Sequence, residues 1–159
     1  MLTVHFLIHG YYIPSIYGGI DGPITEESKK FFRQIDLPVY EKVFCGPPIR
    51  CLETASQIAI DLSRFHMIGA LGNDDLMLKA LREEDDTAII RLCEFLETQK
   101  RIAAGKVSSI VAITDPFYPL ALIHHKRGGK EKLGPLPAFI ELVIQAQEIK
   151  AGQFIPINY

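Results

Sequence analysis

The sequence predicts an α/β domain in three layers, with helices on both faces of a mainly parallel sheet. Three observations carry that expectation. Leu2–Ile8 and Ser108–Thr114 are apolar runs with little alternation, as strands covered on both faces require, and "KVFC" at Lys42–Cys45 is a shorter run of the same kind. Helical patterns separate these runs, so successive strands are joined by crossovers and lie parallel. A chain of 159 residues suits one domain spanning 1–159, long enough to bury a core and short for two.

Taken in order, Leu2 to Ile8 is the first strand and residues 10–22 are a loop rich in Tyr, Gly and Pro. Thr25 then fits a helix N-cap, with Glu26 and Glu27 in the first turn where the helix dipole favours them. That helix carries Phe31, Phe32 and Ile35, and Pro38 ends it. After the strand at 42–45, "GPPIRCLETASQIAIDLSRF" is the clearest helix. Prolines sit at its start, and Ile49, Leu52, Ala55, Ile58, Ala59, Leu62 and Phe65 form its apolar side.

Residues 66–80 read as a weak strand followed by a turn around "GNDD". The acidic run at 83–86 fits the start of a helix bearing Ile89, Leu92, Cys93 and Leu96. Ser108 to Thr114 is the next strand, passing through Asp115-Pro116 into the apolar helix "PLALIHH". "KRGGKEKLGPLP" is a loop, "AFIELVIQ" a late strand, and "GQFIPINY" an added edge strand.

Net charge is −2 and the pI near 6.2, so no basic excess points to nucleic acid or an anionic membrane. No apolar run reaches the roughly 18–20 residues of a membrane span, and no secretory leader is expected. Three cysteines without a CxxC pair read as reduced thiols, so the expected location is the cytoplasm. Neither a metal nor a cofactor is expected.

In parallel sheets ligands bind beyond the carboxyl ends of the strands, where His9, residues 46–50 and Asp115 fall. The segments at these ends carry a resemblance. "FLIHG", followed by "GGIDGPITEESKK", is similar to the Arg-His-Gly and later "D-x-P-L-T-E-x-G" of the histidine phosphatase superfamily. "VFCGPPIRCLETASQIA" resembles that family's "S-S-P-L-x-R-A-x-Q-T-A", and "VAITDPFYPLALI" stands where the family has a strand, Thr-His-Gly and a helix. The resemblance covers roughly residues 2–125 and implies the phosphoglycerate-mutase-like fold.

It also implies a chemistry. A neutral histidine attacks a phosphoryl group, cations stabilise the spread negative charge, and an acid protonates the leaving group. Residue by residue, His9 matches the nucleophile and Arg50 the second-segment arginine, near a helix start where backbone N–H groups also favour phosphate. The rest departs. Ile8 stands at the first arginine, Asp115 at the second histidine and Pro116 at the glycine after it. Glu83 and Glu84 lie in the region of the general acid without its local pattern.

Loss of one preorganised donor typically costs on the order of 10²- to 10³-fold in rate. Asp115 adds repulsion, about 4 kcal/mol for two unit charges roughly 4 Å apart at an effective dielectric of about 20. Structural readings compete at each position. Asp115 fits an N-cap before Pro116, and Arg50 fits a salt bridge at the helix start. A His9–Asp115 pair falls short of the three or four ligands of a metal site. His124, His125, Lys126 and Arg127 read as a polar helix end or as cations reaching back to the pocket. Cys45 and Cys51 read as buried thiols, and Tyr11, Tyr12 and Tyr17 as pocket wall or loop packing.

Two functions follow. The first is an inactive or very weak member of the superfamily that acts by binding a phosphorylated small molecule or a protein partner. The second is a phosphatase acting on a phosphomonoester or phosphohistidine through His9, with residues 124–130 supplying the missing cations. Substrate, partner and oligomeric state are left open by the sequence.

Overall fold

In the computed structural model, which describes residues 1–14, 19–83, 85–127 and 144–159, β1 (Leu2–Ile8), β2 (Lys42–Cys45), β3 (Phe65–Met67), β4 (Ser108–Thr114) and β5 (Phe154–Asn158) form one sheet. Its order is β3-β2-β4-β1-β5. The first four strands are mutually parallel, and β5 adds antiparallel to β1 at the edge, as "GQFIPINY" leads one to expect.

Helices cover both faces. Val4, Phe6, Phe44, Ile110 and Ala112 pack against α3 (Asp74–Glu83), α4 (Thr87–Ile102) and α5 (Phe117–Arg127). Leu7, Val43, Cys45, Val111 and Ile113 face α1 (Glu26–Phe32) and α2 (Ile49–Gln57). Alternate residues of the central strands thus feed two cores, which is why those strands read as apolar runs with little alternation. Among the described residues no helix is long and apolar enough to cross a membrane.

Several expected elements are corrected. The second helix stops at Gln57 rather than reaching Phe65. Ile58 turns extended and is buried in the core beneath α1 and α2, Asp61 caps a 3-10 turn at Leu62–Arg64, and Phe65 pairs with Val43 in β3. The apolar spacing through Phe65 is therefore shared by a helix, a turn and a strand. The turn at "GNDD" opens a helix: Asn73 Oδ1 accepts the Leu76 amide at 3.0 Å, and Asp74 and Asp75 form the first turn of α3.

The acidic run is split, Glu83 closing α3 while Asp85 Oδ1 accepts the Thr87 amide at the start of α4. The first helix has its Thr25 cap, donated to by the Ser28 amide, but ends at Phe32, before Ile35. Of the expected late strand, 138–143 lie outside the described residues, and Ile144 and Gln145 belong to a helical turn at 144–148.

Candidate active site

Strand register assembles the site. Ile8 pairs with Thr114 and Cys45 with Ile113, so the residues that follow β1, β2 and β4 emerge side by side. The His9 amide continues the ladder to the Thr114 carbonyl at 3.2 Å, and the Gly46 amide to Ile113 at 3.0 Å. Gly10 is required by close approach: a Cβ there would lie 2.8 Å from Ser28 Cβ and 3.1 Å from the Phe32 ring. Its amide donates to Thr54 Oγ1 at 2.9 Å, which fixes the chain against α2. His9, Arg50 and Asp115 come together; Ile8 is buried, leaving hydrocarbon where the resemblance has an arginine.

His9 is 7% exposed and both ring nitrogens are engaged. Nδ1 lies 2.8 Å from the Gly10 carbonyl oxygen, which can only accept, so Nδ1 carries a hydrogen. Nε2 lies 3.3 Å from Asp115 Oδ2. Burial pushes the Asp115 carboxyl up. The His9 hydrogen bond and charge, the Phe117 amide and the Arg50 charge outweigh it, holding the group below its ordinary value and ionised. With hydrogen on Nδ1, it is Nε2 that is turned to Asp115. Nucleophilic attack needs an Nε2 lone pair directed at phosphorus. Here a carboxylate stands in that direction.

Arg50 is 1% exposed and lies beneath three carboxylates. Asp74 holds it bidentately, Oδ2 accepting from Nη1 at 2.9 Å and Oδ1 from Nη2 at 2.7 Å. Asp21 Oδ1 lies 3.2 Å from Nη1 and Asp115 Oδ2 3.5 Å from Nη2. Desolvation alone would lower the guanidinium pKa; the Asp74 hydrogen bonds and the charges of Asp115 and Asp74 raise it instead. The Tyr12 ring stacks beneath, its centroid 5.3 Å from Arg50 Cζ.

The first amides of α2 are also taken, Ile49 and Arg50 donating to Asp21 at 2.7 and 3.1 Å. Burial raises the Asp21 carboxyl, but the Arg50, Ile49 and Gly22 amides and the Arg50 charge bring it below its ordinary value. Asp115 is at once the expected cap of α5, its Oδ1 accepting the Phe117 amide at 2.9 Å, and a wall of the site.

Asp21 and Asp74 are the site residues that sequence reasoning missed. Asp21 lay inside a quoted motif and Asp74 inside a segment read as a turn. The usable signal was indirect: a buried arginine requires anions, and these are acidic residues in loops and caps at strand ends.

Other candidates fall elsewhere. His124 hydrogen-bonds Gln145 at 3.2 Å, and His125 lines a separate groove with Cys93 and Glu94. The side chains of Glu83, Lys126 and Arg127, and residues 84, 128–130 and Tyr17, lie outside the described residues. Burial pushes the Cys45 thiol up to about 12 and the Cys51 thiol well above its ordinary value, so both are inert. Among the described residues no three His, Cys, Asp or Glu side chains are placed to hold a metal.

No family model matches the sequence, and no curated protein does. Among solved structures the chain is similar to a provisionally assigned alpha-ribazole-5'-P phosphatase from Escherichia coli. The two share 16% identity at a TM-score of 0.59, over 99% of this chain and 91% of that one. A provisionally assigned phosphohistidine phosphatase, SixA, from Nakamurella multipartitia aligns over 97% of this chain and 82% of its own, at 14% identity and a TM-score of 0.46. The fold is the phosphoglycerate-mutase-like fold that the three motifs implied.

Proposed function

We propose that this chain is a non-catalytic member of the histidine phosphatase superfamily, acting in the cytoplasm as a binding protein. The observation that carries the reading is that carboxylates already hold the donors turned toward the site: both Arg50 Nη groups, the first amides of α2 and the His9 ring, while Arg50 Nε is buried without a partner. Asp74 holds the Arg50 guanidinium, Asp21 the helix amides and Asp115 the His9 ring. A phosphoryl dianion entering here would have to displace carboxylates already bonded in a partly buried site, against their repulsion. Histidine phosphatase chemistry needs the opposite arrangement, an open cationic pocket and a free imidazole lone pair.

The test is direct. The protein is incubated with small phosphate esters and a phosphohistidine peptide, and turnover and acid-labile covalent phosphate are followed in wild type and His9→Ala. The expected outcome is no turnover that depends on His9, and no saturable response to vanadate in the amide spectrum of residues around 9, 50 and 115. Phosphate trapped on His9 would overturn the reading in favour of the phosphatase.

A further inference from the structure

Above His9 opens a cleft of about 430 Å³, lined chiefly by Tyr11, Tyr12, Met77, Leu81, Phe117 and Ile149. That size suits a small molecule, and the walls are hydrocarbon and aromatic. Its ionisable acid and imidazole, Asp115 and His9, lie together, and Gln147 adds an uncharged polar group to the lining. Asp115 is the member of the charge cluster that lines the cleft, and within the cluster the charges are ordered by depth. Arg50 is 1% exposed, whereas the side chains of Asp115, Asp74 and Asp21 are 19%, 23% and 26% exposed. What faces outward is therefore carboxylate, with the guanidinium beneath.

Three carboxylates stand against the single guanidinium of Arg50, with the His9 ring beside them, so carboxylates outnumber the permanent cation and the cluster carries an excess of negative charge. Asp115 Oδ1 accepts only the Phe117 amide among the described contacts, and a carboxylate oxygen has two acceptor positions. We propose that the cleft binds a small molecule carrying one primary ammonium on an apolar body, the ammonium against Asp115 and the body between Met77, Leu81 and Phe117. An ammonium supplies a donor to Asp115 Oδ1 and a positive charge against the excess of carboxylate. The apolar walls exclude the strongly hydrated polyamines and favour one charge at one end. Tyr11 and Tyr12 add aromatic wall beside the polar end, Tyr12 already lying against the Arg50 guanidinium. The proposal rests on the non-catalytic reading of the site.

The test uses the full chain at pH 7, with hexylamine, hexan-1-ol, hexanoate and orthophosphate titrated separately by calorimetry and amide chemical shift. Hexylamine is expected to bind about ten-fold or more tightly than hexan-1-ol, one good charge-assisted contact being of that order. Hexanoate and orthophosphate should give no saturable response. Asp115→Asn should bring hexylamine down to the level of hexan-1-ol, and Leu81→Trp, which narrows the cleft without touching a carboxylate, should weaken both.

Equal binding of amine and alcohol to wild type, or an amine preference that survives Asp115→Asn, overturns the proposal. Should Asp115→Asn not fold, Leu81→Trp and loss of the amine preference in 1 M salt decide it. Failure of the amine with orthophosphate also silent removes only this ligand class. Saturable orthophosphate binding removes the non-catalytic reading as well.

Discussion

Arg50 carries a full charge into a place that solvent hardly reaches, and that is stable only because Asp74, Asp21 and Asp115 surround it. Removing one side of a buried ion pair typically costs about 3–5 kcal/mol, because the other side is left uncompensated. Arg50→Ala leaves three carboxylates converging on a void, so a loss in that range is expected in urea unfolding at pH 7. A loss under about 1 kcal/mol, the scale of exposed pairs, would mean that the carboxylates rotate to water and the cluster is not structural. His9 is the counterpart. Its place at the end of β1 is legible from "VHFLIHG", since an apolar strand ending on His-Gly has few readings. Its state is not legible, because that depends on the Gly10 carbonyl and on an aspartate 106 positions away.

At the scale of elements, α3 exists as part of the site as much as of the core. Asn73 holds its first turn through Leu76, and the Asn73 amide donates to the Tyr118 hydroxyl at 2.8 Å, so the turn that presents Asp74 to Arg50 is tied to α5. Asn73→Ala is expected to cost about 1 kcal/mol, a typical cap loss, and Asn73→Ser much less, since a serine hydroxyl can accept the same amide. Equal stability of the two variants in urea melts would remove the cap from the account.

This helix was also the least legible. Asn-Asp-Asp reads as a turn and as a helix start with equal ease, because the same short polar side chains satisfy backbone amides in both. By contrast β1, β2 and β4 are legible because burial on both faces writes itself as an apolar run with little alternation. The overextended second helix failed for a related reason: apolar spacing continues through Ile58 and Phe65, but Ile58 spends its burial on the turn out of the helix.

Across the whole molecule the cluster joins parts that share little sequence. Asp21 comes from the loop after β1, Arg50 from α2, Asp74 from α3 and Asp115 from the turn between β4 and α5. The pH dependence of folding should reveal this hub. Asp21 and Asp115 titrate below their ordinary values in the folded chain. Their contribution is fully present above the unfolded carboxylate range, near pH 4, and is lost as pH falls through the lower folded values.

Arg50 is a cause of lowering common to both carboxylates, so in Arg50→Ala that acid-side loss is smaller. Protonation there also relieves repulsion among carboxylates that no longer have their cation. Acidic groups away from the cluster contribute equally to both proteins and cancel in the difference. The stability gap between wild type and Arg50→Ala, measured by urea unfolding, should therefore be widest near pH 7 and narrow toward about pH 3.5. A gap that stays constant over that interval would assign the cost of the substitution to lost packing around the arginine stem, and the charge cluster would lose its place as the tie between the two faces of the sheet.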